Sequence, residues 1–166
     1  MEGTRKRFVI SDMHFGHENI IQYANRPFSC AEECDATIIN NWNTIVQPRD
    51  RVYVLGDVAM AKRHIEKIGL CNGKKILIMG NHDIFDLKYY TPFFEDIRSC
   101  KVLKTEKGNI LLTHFPIHKM QNERWLHNIH GHTHDVNVDD KDSFYINACV
   151  EIIGYKPLLL NKLFTF

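Results

Sequence analysis

Five short apolar runs in this chain of 166 residues each end in side chains able to bind a metal or move a proton. Phe8-Val9-Ile10-Ser11 runs into Asp12-Met13-His14, Arg51 to Leu55 into Gly56-Asp57, and Ile76 to Met79 into Gly80-Asn81-His82-Asp83. Asn109 to Thr113 runs into His114, and Asn128-Ile129-His130 into Gly131-His132-Thr133-His134. Any one ending reads equally well as a polar turn, because Gly, Asn and Asp are all turn formers. Together they offer Asp12, His14, Asp57, Asn81, His114, His132 and His134, a set of oxygen and nitrogen donors without a cysteine. That is more than one tetrahedral ion needs. The set suits two divalent ions sharing a carboxylate, and imidazole with carboxylate fits Mn, Fe, Zn, Ni or Co better than calcium. Two ions about 3.5–4 Å apart lower the pKa of a shared water and clamp both oxygens of an in-line displacement. That is the logic of phosphoester hydrolysis, where charge building on the phosphoryl group needs cationic stabilisation. His82 is then a free imidazole beside Asn81, suited to protonate a leaving alkoxide, with Asp83 placed to orient it.

The elements that must position these groups follow from pattern. Ile76 to Met79 is too short for a helix and too apolar for a solvated strand, so it reads as a buried strand that Gly80 stops. Glu18 to Ala24 reads as one or two helical turns, broken at Arg26-Pro27-Phe28. Ser29-Cys30-Ala31-Glu32 has the form of a capping box, and Ala36, Ile39, Trp42, Asn43 and Val46 continue at helical spacing, giving a helix over about 30 to 46. Ala59 to Leu70 reads as a second helix, and Phe85 to Ile97 as an aromatic, partly helical stretch broken at Thr91-Pro92. Strand, helix, strand, helix, strand implies a mainly parallel sheet, whose carboxyl edge is where open α/β sheets bind ligands. Lys101 to Leu103 and Asn109 to Thr113 read as a hairpin around Lys107-Gly108, residues 135–143 as an acidic loop, Phe144 to Val150 as a strand, and Leu158 to Leu160 as the last strand.

Composition bounds the rest. A chain of this length suits one domain, 1–166, and 44% hydrophobic with 25% charged residues is ordinary for a soluble globular protein. A formal net charge of +1 gives no general pull toward nucleic acid or membrane. No run approaches membrane-spanning length, and Arg5-Lys6-Arg7 leads into too few apolar residues for a signal peptide. Five cysteines without a C-x-x-C pair argue for reduced thiols and a cytoplasmic setting.

Asp12-x-His14, Gly56-Asp57, Gly80-Asn81-His82-Asp83, His114 and Gly131-His132-x-His134 together resemble the signature of the calcineurin-like metallophosphoesterases, with every block in the family's order. The resemblance implies an α/β fold of two mixed β-sheets packed as a sandwich flanked by helices, four layers in the order α/β/β/α, with a dinuclear site at the strand ends. It implies that Asp12, His14 and His134 hold one metal, that Asn81, His114 and His132 hold the other, and that Asp57 bridges. It implies that His82 contacts the phosphate and protonates the leaving group. His14-Phe15-Gly16-His17 followed by Asn19-Ile20-Ile21 resembles small single-domain members, many from bacteria and phages. Two departures stand out. Met60 occupies a place that is often acidic, and the long interval from His14 to Gly56 carries the helix over 30 to 46, which is placed to wall the cleft.

The expected activity is a metal-dependent phosphoesterase, most simply a phosphodiesterase on nucleotides or small diesters, with manganese among its ions. A phosphomonoesterase or protein phosphatase is the alternative. A non-catalytic scaffold, as in the retromer subunit of this fold, is the rival of another class, but scaffolds tend to lose the catalytic histidine or ligands. Arg26 and Arg124 are candidates for binding phosphate. His17 reads as a cleft residue or a helix cap, His64 and His118 as surface, His130 as a packed structural histidine, and Tyr89, Tyr90, Phe93 and Phe94 as core.

Overall fold

The structure is a computed structural model that describes residues 5–138 and 143–166. Among the described residues, nine strands form two mixed sheets. In the first, β1 (Arg7–Ile10), β2 (Arg51–Val54), β3 (Lys74–Ile78) and β4 (Asp96–Arg98) run parallel. In the second, β5 (Cys100–Thr105) and β6 (Gly108–Thr113) form an antiparallel hairpin. Parallel to β6 follow β7 (His127–His130) and β8 (Tyr145–Asn147). The last strand, β9 (Leu158–Leu159), returns to the first sheet antiparallel to β1, giving the orders β4-β3-β2-β1-β9 and β5-β6-β7-β8.

The central strands β1, β2 and β3 are buried on both faces, which is why each runs into continuous apolar sequence. Phe8, Ile10, Val52, Val54 and Leu77 face one way and pack with Ile38 and Trp42 of the helix Ala31–Ile45. Val9, Tyr53, Leu55, Ile76 and Ile78 face the other way and meet Leu103, Ile110, Leu112 and Ile129 of the second sheet. The period of two in strand side chains thus builds two cores, one under helices and one between sheets. Helical material in the β6–β7 crossover is one 3₁₀ stretch, Lys119–Arg124. Among the described residues, no helix is long and apolar enough to cross a membrane.

The helices are α1 (Glu18–Tyr23), α2 (Ala31–Ile45) and α3 (Val150–Ile153). Several expectations are corrected here. Ser29 sits one residue before the N-cap of α2, and its amide and hydroxyl donate to Glu33 at 2.7 and 2.6 Å rather than pairing with Glu32. The stretch expected as a helix over 59–70 is a 3₁₀ helix, Lys62–Leu70, because its buried residues Ile65 and Ile68 are three apart and eclipse at three residues per turn. In the aromatic stretch only Leu87–Tyr89 is helical, and the chain then extends into β4. Tyr90 and Phe94 are buried, with Tyr89 and Phe93 packed against the same core. The strand expected to reach residue 150 ends at Asn147, whose side chain bonds Thr133, the His134 carbonyl and the Cys149 amide, turning the chain into α3. The acidic loop expected over 135–143 lies partly outside the described residues.

Candidate metal centre

Parallel pairing makes the candidate ligands converge. Strands β1, β2 and β3 all end at one edge of the first sheet, and β6 and β7 end beside them in the second. The exit loops of β1 and β2 are stitched together, with the amides of Asp12, His14 and Phe15 donating to the carbonyls of Gly56, Asp57 and Val58 at 3.1, 3.0 and 2.9 Å. The second sheet is tied on by Ser11 N–H to the Ala148 carbonyl at 2.8 Å, and its own exit loops are joined by Gly131 N–H to the His114 carbonyl at 2.9 Å.

Asp12, His14, Asp57, His132 and His134 have φ of 58°, 51°, 52°, 70° and 49°. Left-handed backbone is uncommon outside glycine, though Asp, Asn and His enter it more readily than most. Such strain costs about 1–3 kcal/mol per residue and persists only where the surroundings impose it. Here it turns successive side chains inward at the strand ends. Gly80 and Gly131 permit the close approach of these loops. A Cβ on Gly80 would collide with Asp57 and lie 2.8 Å from the His114 ring, and one on Gly131 would collide with Ser11 and Asp12.

The two carboxylates are built alike. Asp12 Oδ2 accepts from the Ser11 hydroxyl, the His132 amide at 2.8 Å and the Cys149 thiol at 3.3 Å. Asp12 Oδ1 is buried without a partner and lies 3.7 Å from His14 Nε2 and 3.9 Å from His134 Nε2. Asp57 Oδ1 accepts from the His82 amide at 2.9 Å. Asp57 Oδ2 lies 3.5 Å from His14 Nε2, 3.6 Å from His114 Nε2 and 3.9 Å from His82 Nε2. Each carboxylate therefore has one oxygen anchored and one turned toward imidazoles. Burial alone would raise the Asp12 carboxyl, but His14 and His114 beside it hold it well below the usual range.

Donor atoms of Asp12, His14 and His134 lie within 4.8 Å of one another, and so do those of Asp12, Asp57 and His114. His114 Nδ1 bonds the Leu55 carbonyl at 2.7 Å, so in the neutral ring that nitrogen is the donor and Nε2 carries the lone pair. That lone pair faces the Asn81 carboxamide oxygen at 2.8 Å. Two acceptors so close, together with buried unpartnered Asp12 Oδ1 and His14 Nε2, fit a cation as their common partner. The His132 ring lies 5.2 Å from that of His114. All seven candidate ligands are thus gathered, with Asp12, Asp57, His14 and His114 buried and Asn81 and His132 at the mouth. Asp12 is common to both donor groups, while Asp57 faces a histidine of each, so either carboxylate is placed to serve two positions.

His82 stands at the mouth with its side chain 42% exposed. Among the described residues, the hydrogen bonds of the Asp83 carboxylate go to backbone amides and none to the His82 ring. Asp83 Oδ2 accepts from the amides of Asp57 and Gly80 at 2.8 and 2.9 Å, and Oδ1 from that of Val58 at 3.0 Å. The residue staples two loops together, and its oxygens are committed to backbone. Burial raises its carboxyl in spite of these donors.

Arg26, a candidate for phosphate, is buried and occupied by the protein. It donates to Glu151 at 2.9 and 2.7 Å and to the carbonyls of Asp12 and Met13 at 2.7 and 2.9 Å. Glu151 also meets His134 Nδ1 at 3.0 Å. Sequence reasoning passed over Glu151 and Cys149, and no local motif marks either. Arg124 and His118 are exposed on the surface, and His130 is fully buried with Nδ1 2.8 Å from the Gly131 carbonyl. His17 lines a cleft of about 470 Å³ together with Ile20, Tyr23, Met60, His82 and His134. Burial pushes the His17 ring below its ordinary pKa, which favours its neutral form. The cleft is walled by α1, not by the longer α2, which lies in the core.

The calcineurin-like phosphoesterase superfamily domain matches residues 6–150. An uncharacterised protein of Methanocaldococcus jannaschii is 38% identical over 168 residues, covering 95% of this chain and 88% of its own. The gene 66 protein of Mycobacterium phage L5 is 30% identical, covering 75% of each. Among solved structures, a protein of unknown function from Aquifex aeolicus superposes with a TM-score of 0.76 at 28% identity, over 96% of this chain and 98% of its own. An archaeal phosphodiesterase shares the fold, with a TM-score of 0.52 at 19% identity over 86% and 82%.

Proposed function

The chain belongs to the calcineurin-like phosphoesterase superfamily and is a phosphoric ester hydrolase, and from that premise we propose a dinuclear, metal-dependent phosphodiesterase acting on nucleotides or other small diesters. The observation that carries the dinuclear part is the pair of buried carboxylates. Asp12 and Asp57 each keep one oxygen on an anchor and turn the other toward imidazoles. Asp12, His14 and His134 would hold one ion, and Asn81, His114 and His132 the other, with Asp57 between. Bound there, divalent ions of the Mn, Fe, Zn, Ni or Co kind would activate a water and offset charge on the phosphoryl oxygens.

The residues of the chain do the rest. His82 reaches out of the site on the same side as the cleft, where it can give its proton to the leaving oxygen. The cleft offers Ile20, Tyr23 and Met60 to an organic arm of the substrate. Among its described lining residues there is no lysine or arginine to meet the second charge of a monoester. A diester, with one charge and two organic arms, matches this better.

Turnover of bis-p-nitrophenyl phosphate and p-nitrophenyl phosphate, with Mn restored to chelator-treated protein, tests the reading. The diester is expected to have the higher kcat/KM. Cleavage of the monoester alone would make the enzyme a phosphatase, and binding of Mn without hydrolysis of either would favour the scaffold.

A further inference from the structure

The structure assigns Glu151, itself held by Arg26, as a positioning residue that sets the affinity of the metal position to which His134 belongs and not the other. Three donors converge on Glu151 Oε1: Arg26 Nε at 2.9 Å, Arg26 Nη2 at 2.7 Å and His134 Nδ1 at 3.0 Å. Arginine–carboxylate pairs frequently take both carboxylate oxygens in a fork. Here Oε2 is buried without a partner, and the whole arrangement is gathered at the oxygen that holds His134. Along its other edge the guanidinium donates from Nη2 and Nη1 to the carbonyls of Asp12 and Met13, at 2.7 and 2.9 Å. That is the turn in which Asp12 and His14 are held at φ of 58° and 51°. One buried ion pair therefore grips all three members of the group Asp12, His14 and His134. Through Oε1 it fixes the tautomer and plane of His134, leaving Nε2 toward Asp12 Oδ1 at 3.9 Å. Through the carbonyls it holds the strained turn that presents the other two.

Asp12 is shared by both groups, but the partners of His114 and Asp57, the other two members of the second, lie elsewhere. His114 is fixed by the Leu55 carbonyl, and Asp57 by the His82 amide. Neither touches Arg26 or Glu151 through any hydrogen bond of the described residues. Loss of Glu151 should thus be felt at one position. Outer partners of this kind change metal affinity by about 10–100-fold.

The inference rests on the dinuclear reading, and the two fail differently. Titration of chelator-treated wild-type protein with Mn should give two binding events by calorimetry; the absence of any would defeat the metal reading itself. Glu151→Gln should weaken one event about 10-fold and Glu151→Ala about 100-fold, with the other event unchanged. Affinities both unchanged in Glu151→Gln, or both reduced together, would overturn the selective role. Should these variants fail to fold, the metal-free wild type still decides. Its His134 Nδ1 proton, assigned by its loss in His134→Gln, should be protected from exchange and shifted downfield by the carboxylate, and a freely exchanging proton would overturn the assignment.

Discussion

Asp83→Asn separates two roles that the same residue could have beside His82. In the structure its three hydrogen bonds all come from backbone amides, those of Asp57, Gly80 and Val58. The amide oxygen of asparagine can keep the two bonds at Oδ2, but its NH₂ group then faces the Val58 N–H. One bond to a charged acceptor is lost, worth about 1.5–3 kcal/mol, and a buried donor is left unpaired. Burial disfavours the Asp83 charge, so removing it returns part of that cost. The net expectation is a loss of about 2 kcal/mol. For a chain of this length that lowers Tm by about 4–8 °C. Differential scanning calorimetry of the chelated, metal-free protein reads it without interference from metal binding. Mn affinity should fall as well, because Asp83 holds the loops that carry Asp57 and Asn81. An unchanged Tm with a large drop in kcat at saturating Mn would refute the staple and return Asp83 to the role of orienting His82.

Other outcomes follow from the same geometry. His82→Ala should cut turnover by about 10²–10⁴-fold while Mn content and Tm stay near wild type, since the side chain is 42% exposed and its contact with the buried Asp57 carboxylate is a long one of 3.9 Å; loss of metal, read by elemental analysis, would make it a ligand. Gly131→Ala should weaken Mn binding and cost roughly 1–3 kcal/mol in thermal denaturation, because its Cβ must push Ser11 and Asp12 aside. The Cys71 thiol is pushed up to about 12 by burial, so iodoacetamide at about pH 8 should label exposed Cys100 and leave Cys71 intact in the folded chain, as peptide mass spectrometry would show.

The gathering of the seven donors was legible because each lies next to a short apolar run, and a run of that kind makes a strand whose end is fixed within a residue or two. Parallel order then follows from the alternation of strands with crossovers, and with it the convergence at one edge. What was not legible depends on distance along the chain. Arg26 invites a reading as a phosphate ligand, and only the fold shows that Glu151, 125 residues away, has taken it. Asp83 follows His82 directly, so proximity suggests a pair, whereas the loop turns its carboxylate back onto Gly80 and across to Asp57. The cleft wall went to α1 because the apolar face of α2, with Ile38 and Trp42, is needed under the first sheet.

The count of ions, and the effect of Asp57 on that count, is the most direct test of the account. Chelator-treated protein loaded with Mn and freed of excess should carry two ions per chain by elemental analysis. Asp57→Asn should lower the occupancy of both, because its Oδ2 faces His14 at 3.5 Å and His114 at 3.6 Å. A single ion in the wild type, or loss of only one in Asp57→Asn, would contradict a carboxylate shared between two positions.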